Sequence, residues 1–304
     1  MKKLYGVTTA MVTPFTSDDQ VDEQALAGMV EFLIKRGVHC LYPCGTTGEM
    51  FHLTVVERKR IAELVVKQAA GRAVVYIHAG AMQQSDTIEL ARHAEQIGAD
   101  GIGVVTPAFF SASEEELYRY YGAVSKAVSE DFPIYMYNIP QCAANDLKPK
   151  TVKRITDCYE NIIGIKYSLP DMLRTDEYLH IKPGFSVVQG TDRLFMAALA
   201  MGCTGTVSGV SNVYPEIFAA IYDAFCRGDL AAARIYQTAA TAVCNALRCG
   251  SNMSYFKNGF IYRGLSGGHM RLPQMDLAKD EVESLYALLN KTESLIPEGI
   301  LLKA

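Results

Sequence analysis

Long apolar runs are missing. No stretch of the 304 residues approaches the roughly eighteen consecutive apolar residues that a membrane-spanning helix requires, so no helix is expected to span a membrane. Clustered lysine and arginine are missing too. The formal net charge is −4, and a mildly acidic balance without basic clusters argues against a nucleic-acid partner. Metal-ligand spacing is absent. Cys40, Cys44, Cys142, Cys158, Cys203, Cys226, Cys244 and Cys249 show no CxxC pair, and no His or Cys pair follows Cys40 and Cys44 at zinc-finger spacing. They read as buried free thiols in a reducing cytoplasm. No pair among the six histidines is spaced as metal ligands, so no metal is expected. No GxGxxG follows the first strand, which disfavours a dinucleotide-binding fold. No low-complexity linker divides the chain. The opening MKKLYGVTTAMVTPF has two lysines before an apolar stretch, as a signal peptide would. The stretch is short and rich in threonine, with Pro14 and then Asp18 and Asp19 close behind, so it reads as a first strand.

What is present is a repeat of strand and helix at intervals of roughly thirty residues. Apolar residues make up 49% and charged residues 20%, as in a globular chain with a large core. Runs rich in Val, Ile and Tyr predict eight strands, near 5–10, 38–43, 73–79, 101–105, 133–137, 162–167, 185–189 and 204–208. Helices fit at 22–36, 55–69, 85–97, 114–129 and 215–226. The first carries Leu26, Met29, Val30, Leu33 and Ile34 on one face and stops at Gly37. Ser113 followed by Glu114, Glu115 and Glu116 reads as an N-cap with acidic residues at the positive end of the helix dipole. The strands are continuous apolar runs, the mark of parallel strands covered by helices. Eight such units in this length point to a closed (β/α)8 TIM barrel over residues 1–228. Residues 229–304 read as a C-terminal helical extension packed on the barrel, within one structural domain.

In such a barrel the active site lies at the C-terminal mouth of the strands. Five strands end there in small, hydroxylated or ionisable residues: Gly45-Thr46-Thr47-Gly48-Glu49, Tyr137-Asn138, Lys166-Tyr167-Ser168, Gly190-Thr191-Asp192 and Val207-Ser208-Gly209. Lys166 is the most informative. It sits in the otherwise apolar IIGIKY, where an ammonium is costly unless paired or neutralised, and the free amine is the form that attacks carbonyls. Most lysines snorkel to water, and that role stays open on position alone. Tyr137 is either a core aromatic or, beside an imine-forming lysine, the proton carrier that carbinolamine dehydration needs. The Gly45–Gly48 turn caps a helix or holds a carboxylate in its amides and hydroxyls. Glu49 reads as a structural acceptor, Asp192 as a helix cap or an acceptor for substrate hydroxyls, and His78 as a packed core histidine.

Together these motifs resemble the dihydrodipicolinate synthase / N-acetylneuraminate lyase family of pyruvate-dependent class I aldolases. The resemblance runs from about Tyr5 to Pro273 and rests on GTTGE at 45–49, TP at 106–107, YNIP at 137–140, GIK at 164–166, G-x-D at 190–192 and RGL at 263–265. It implies a barrel with a C-terminal helical part, assembled as a homotetramer or homodimer. It implies Lys166 as the Schiff-base lysine and Tyr137 as the proton shuttle. Thr46 and Thr47 would bind the pyruvyl carboxylate, with Thr46 also passing protons to Tyr137. The Val207 backbone would line the pyruvate pocket, and Ser168, Gly190, Asp192 and Ser208 would face the rest of the substrate. No cofactor is implied beyond the covalent imine. The partners implied are a small 2-oxo acid, pyruvate, and an aldehyde.

Departures bear on the substrate. The synthases carry an arginine two residues after the YNxP proline, where this chain has Cys142, and a neutral thiol cannot replace a bidentate guanidinium. They also carry a relay tyrosine after TP, where this chain has Phe109 and Phe110. The lyases place Thr two residues after the lysine and Asp-Glu after the seventh-strand glycine. Here those positions are Ser168 and Asp192-Arg193, which keeps the hydroxyl and reverses a charge. SGVSN at 208–212 is similar to relatives acting on 2-keto-3-deoxy sugar acids. The expectation is reversible aldol cleavage of a 2-keto-3-deoxy sugar acid or an N-acetylneuraminate-like substrate. A Schiff-base dehydratase, a dihydrodipicolinate synthase and a non-catalytic ligand-binding relative stand as alternatives.

Overall fold

The structure is a computed structural model and describes residues 1–301. Eight parallel strands close into a barrel: β1 (Gly6–Ala10), β2 (Cys40–Tyr42), β3 (Val74–His78), β4 (Gly101–Val105), β5 (Ile134–Asn138), β6 (Ile162–Tyr167), β7 (Ser186–Gln189) and β8 (Gly205–Ser208). Each pairs with the next, and β8 pairs with β1. Around them run α1 (Glu23–Lys35), α2 (Val55–Ala69), α3 (Gln84–Gln96), α4 (Glu114–Ser125), α5 (Pro140–Ala143), α6 (Pro149–Cys158), α7 (Met172–Leu179), α8 (Phe195–Met201) and α9 (Pro215–Cys226). The TIM barrel anticipated from the strand–helix repeat is therefore the fold. After it come α10 (Leu230–Ala246), α11 (Met253–Tyr262) and α12 (Lys279–Glu293).

Local chemistry explains most boundaries. Thr54 and Ser113 each open a helix with a capping box, completed by Glu57 and Glu116. Gly37 follows α1 at a φ of +82°, a conformation open to glycine without a Cβ penalty. α4 is shorter than its periodicity suggests, ending at Ser125 rather than 129. The Asn161 amide donates to the carbonyls of Ser125 and Ser129, so a side chain satisfies groups that a further turn would have used. The short α5 and α6 each begin at a proline, which presets their first residue and donates no hydrogen bond.

The barrel interior is filled by large and small residues set against each other. Tyr42, Tyr76 and Tyr135 pack inside with Cys40, Val188 and Val207. Glycines make room for the rings. A Cβ on Gly103 would fall 1.8 Å from the Tyr42 hydroxyl, and one on Gly101 would fall 2.5 Å from the Tyr76 ring.

One irregularity orients the sixth strand. Along β5 the residues alternate, with Ile134 and Met136 in the core under the helices and Tyr135 inside the barrel. β6 begins in phase, with Ile134 opposite Ile162, but the next pair is Tyr135 with Gly164. Ile163 is the extra residue of a bulge. The pairing that follows sets Met136 against Ile165 and Tyr137 against Lys166. Uninterrupted alternation from Ile162 would have turned Lys166 toward the helices, because a one-residue shift exchanges the faces of a strand.

Gly164 permits the bulge, since a Cβ there would meet both the Ser186 carbonyl oxygen and the Tyr135 ring at 2.5 Å. We expect Gly164→Ala to lower stability by about 1–3 kcal/mol, the usual range for overpacking a core, as read from the urea midpoint at unchanged slope. An unaltered midpoint would show that the strand has room to spare.

Candidate active site

A cavity of about 350 Å³ opens at the C-terminal mouth of the barrel. Lys166 and Tyr137 stand side by side at its floor. Both are buried, and the lysine Nζ lies 3.9 Å from the centre of the Tyr137 ring and 5.0 Å from that of Tyr42. Among the described residues, Lys166 is not one of the lysines that hold a carboxylate. The Tyr137 hydroxyl lies 3.3 Å from the Thr46 hydroxyl, either able to donate, so a proton path leads from the floor to the turn after β2.

That turn is held from several sides. Cys44 and Glu49 flank it with left-handed backbones, φ 61° and 58°, which cost non-glycine residues free energy that surrounding contacts must offset. Thr13 donates its hydroxyl to the Gly48 carbonyl at 2.8 Å, and the amides of Glu49 and Met50 bond back to the carbonyls of Thr46 and Gly45. The amides of Thr46 and Thr47 have no such backbone partner among the described residues. Both residues line the cavity, so their N–H and O–H groups are available to an anion.

Beneath the turn lies an ion pair that spans the molecule. Glu49 and Lys257 of α11 are buried, with Oε1 2.6 Å from Nζ. Nζ also donates to the His269 carbonyl at 2.5 Å. Burial pushes the Lys257 amine below its usual range, and Glu49 pulls it back up. Glu49 is thus structural, as the buried anion of an ion pair with a helix far away in sequence, rather than as a hydrogen-bond acceptor.

The other expected residues divide. Ser168, Gly190, Asp192 and Val207 line the cavity. Gly190 is needed for close approach, because a Cβ there would fall 2.0 Å from the Ser168 hydroxyl. Ser208 is fully buried and lies behind the cavity wall, where its hydroxyl accepts from the Ser211 amide at 2.9 Å and supports Asp192. Asp192 does not cap a helix with its side chain. Its Oδ2 accepts from the Val210 amide at 3.3 Å, while Oδ1 is shut from solvent without a partner. The residue is half-exposed overall, but this burial of the carboxyl pushes its pKa up to about 6, against the pull of Ser208, Val210 and Lys166. His78 is a packed core residue. Desolvation, then the charges of Arg58 and Lys166, hold its pKa well below the usual range. Cys142 lines the cavity from the β5 side, and Phe109 and Phe110 are exposed beside the mouth, ring against ring at 5.0 Å.

Sequence reasoning missed the C-terminal contribution. Cys244, Cys249, Met253 and Phe256 line the cavity from α10, α11 and the link between them. It also missed Gln141, whose amide donates to the Ser168 carbonyl at 2.7 Å. Lys257 did carry a signal. It is a single cation in MSYFKNGF, the same kind of anomaly that drew attention to Lys166.

The family model described as the dihydrodipicolinate synthetase family matches residues 3–292. The chain is 33% identical to a 4-hydroxy-tetrahydrodipicolinate synthase of Pelobacter propionicus, over 93% of this chain and 97% of that one. Among solved structures it is similar to YagE of E. coli K12, a prophage protein of the dihydrodipicolinic acid synthase family in complex with pyruvate. The TM-score is 0.91 at 31% identity, covering 95% of this chain and 99% of that one. It is similar also to the N-acetylneuraminate lyase of Proteus mirabilis, with a TM-score of 0.89 at 26% identity, covering 96% and 99%.

Removing one member of the Glu49–Lys257 pair strands the other. Lys257→Met should cost about 3–5 kcal/mol of unfolding free energy, and Glu49→Gln combined with Lys257→Met should cost clearly less than the sum of the two single changes. Additive losses would show that the two side chains do not depend on each other.

Proposed function

The chain belongs to the dihydrodipicolinate synthetase family, whose members are pyruvate-dependent lyases of the class I aldolase type, and from that premise we propose that Lys166 forms the imine with its 2-oxo acid substrate. The observation that carries this reading is the pairing of Lys166 with Tyr137 across two strands, with Nζ 3.9 Å from the phenol ring and the phenol 3.3 Å from Thr46.

The amine attacks C2 of the 2-oxo acid. Tyr137 delivers a proton to the former carbonyl oxygen, which leaves as water, and the iminium remains on Nζ. The substrate carboxylate rests on the amides and hydroxyls of Thr46 and Thr47, which holds C2 against the amine and fixes C3 and C4 in register. The iminium then accepts the electron pair of the C3–C4 bond and becomes an enamine. The C4 hydroxyl passes its proton to the Tyr137 phenolate left by the dehydration step, and the aldehyde departs. Protonation of the enamine and hydrolysis release pyruvate and the free lysine. The path needs no cofactor beyond the covalent imine. Condensation follows the same steps in reverse.

We place the substrate among 2-keto-3-deoxy sugar acids or N-acetylneuraminate-like compounds. Ser168 and Asp192 on the cavity wall support a hydroxylated chain. Condensation to dihydrodipicolinate is less well served, because Cys142 stands at the mouth where a carboxylate-binding arginine would be needed and the phenyl rings of Phe109 and Phe110 carry no proton. The two exposed rings support assembly into a homodimer or homotetramer. The eight cysteines are unpaired thiols, though Cys142, Cys158, Cys226 and Cys249 are exposed rather than buried as expected, and their unpaired state supports a reducing compartment such as the cytoplasm.

Incubation with pyruvate and borohydride tests the imine. Mass spectrometry of the intact wild-type protein should show one reduced pyruvyl adduct, and Lys166→Ala should show none. Tyr137→Phe should form the adduct about 10²–10⁴-fold more slowly, the usual weight of a positioned proton carrier. A folded wild-type protein that traps nothing would overturn the reading.

A further inference from the structure

The charged groups of the cavity are unevenly occupied. Lys166, Asp192 and Arg193 are the charged residues that line it. If Lys166 becomes an iminium, the carboxylate on the same three-carbon unit neutralises it beside Thr46 and Thr47. Asp192 already has the Val210 amide on one oxygen and Ser208 in support. Arg193 is different. Like Arg92, Arg227, Arg234 and Arg248, Arg193 holds no carboxylate among the described residues, but of these it is the one that lines the cavity. It is exposed at the rim, on the turn after β7, and its charge reaches the buried thiol of Cys244, another residue of the cavity wall. Arg193 thus belongs to the cavity wall at its solvent-exposed rim.

The opposite rim offers nothing equivalent. From the end of β5 it presents Ile139, Gln141 and Cys142, and the Gln141 amide is already engaged with the Ser168 carbonyl. An uncharged substrate tail would leave the Arg193 fork with water alone. A tail ending in a carboxylate or a phosphate would meet five donors in a planar array suited to two parallel bonds.

We propose that Arg193 is a specificity-determining residue that binds an anionic group, carboxylate or phosphate, at the far end of the aldehyde half of the substrate. The inference rests on the imine chemistry of Lys166 and extends it to the other end of the cavity. The substrate is then an acid at both ends, with one anion on the Thr46–Thr47 turn and the second on the turn after β7. Asp192, one residue before, lines the wall between them.

The test is condensation of pyruvate with paired aldehydes that differ in the anion: succinic semialdehyde against butanal, and glyceraldehyde 3-phosphate against glyceraldehyde. The wild-type enzyme should prefer the charged member of at least one pair by about tenfold or more in kcat/KM, the weight of one charge-assisted hydrogen-bonded contact. The pair that shows the preference distinguishes a carboxylate from a phosphate. Arg193→Gln should bring that ratio close to one, and Arg193→Lys should keep part of it. Borohydride trapping of pyruvate on the wild type separates the two levels of the argument. An enzyme that traps pyruvate yet takes charged and neutral members equally, or turns over neither charged member, overturns the role of Arg193 and leaves the imine standing. Failure to trap pyruvate removes both.

Discussion

Opposite each other across the β5–β6 ladder stand a phenol and an amine, and their pairing follows from the extra residue at Ile163. Before it, Ile134 faces Ile162. After it, Tyr137 faces Lys166. Both side chains then enter the barrel mouth, where burial excludes water and the phenol ring lies 3.9 Å from the amine. A parallel sheet closed into a barrel is rigid enough to hold such a pair, because each strand is hydrogen-bonded on both sides. The rest of the site is arranged around this pairing. Thr46 meets the phenol from β2, Gly190 lets β7 approach Ser168, and Asp192 reaches the loop after β8.

The second constraint is that the carboxylate-binding turn does not support itself. Its flanking residues are strained, and it rests on Glu49, whose charge is answered by Lys257 from beyond the barrel. A buried pair of this kind adds little net stability but penalises the loss of either partner. It therefore ties the geometry of Thr46 and Thr47 to the docking of α11. A second tie lies near the foot of the same helix, where Arg263 and Arg36 share the carboxylate of Glu216 on α9. The C-terminal helices thus supply part of the cavity wall and also hold its opposite side in place.

Much of this was legible in the residues. Continuous apolar strands at regular spacing announce a parallel barrel, and the rule that chemistry gathers at strand C-termini leads directly to Thr46, Tyr137, Lys166 and Asp192. A charged residue in IIGIKY is conspicuous because nothing else in that strand is polar before Tyr167. Strict alternation, however, would have turned Lys166 away from the mouth. The available signal was Gly164, since an isolated glycine within a strand often marks a bulge. Ser208 illustrates the converse. It ends a strand beside the others, yet its hydroxyl is taken by the Ser211 amide, a packing detail that spacing cannot reveal. The wall formed by Cys249, Met253 and Phe256 was not legible, because no short motif links residues so far along the chain to the barrel mouth.

The most direct measurement is the crystal structure of the protein soaked with pyruvate. The account predicts continuous density from Nζ of Lys166 to C2 of the ligand, with the ligand carboxylate on the amides and hydroxyls of Thr46 and Thr47 and the Tyr137 hydroxyl beside the imine. Pyruvate bound in the cavity without a bond to Lys166, or bonded with its carboxylate directed toward Arg193 instead of the threonine turn, would contradict it.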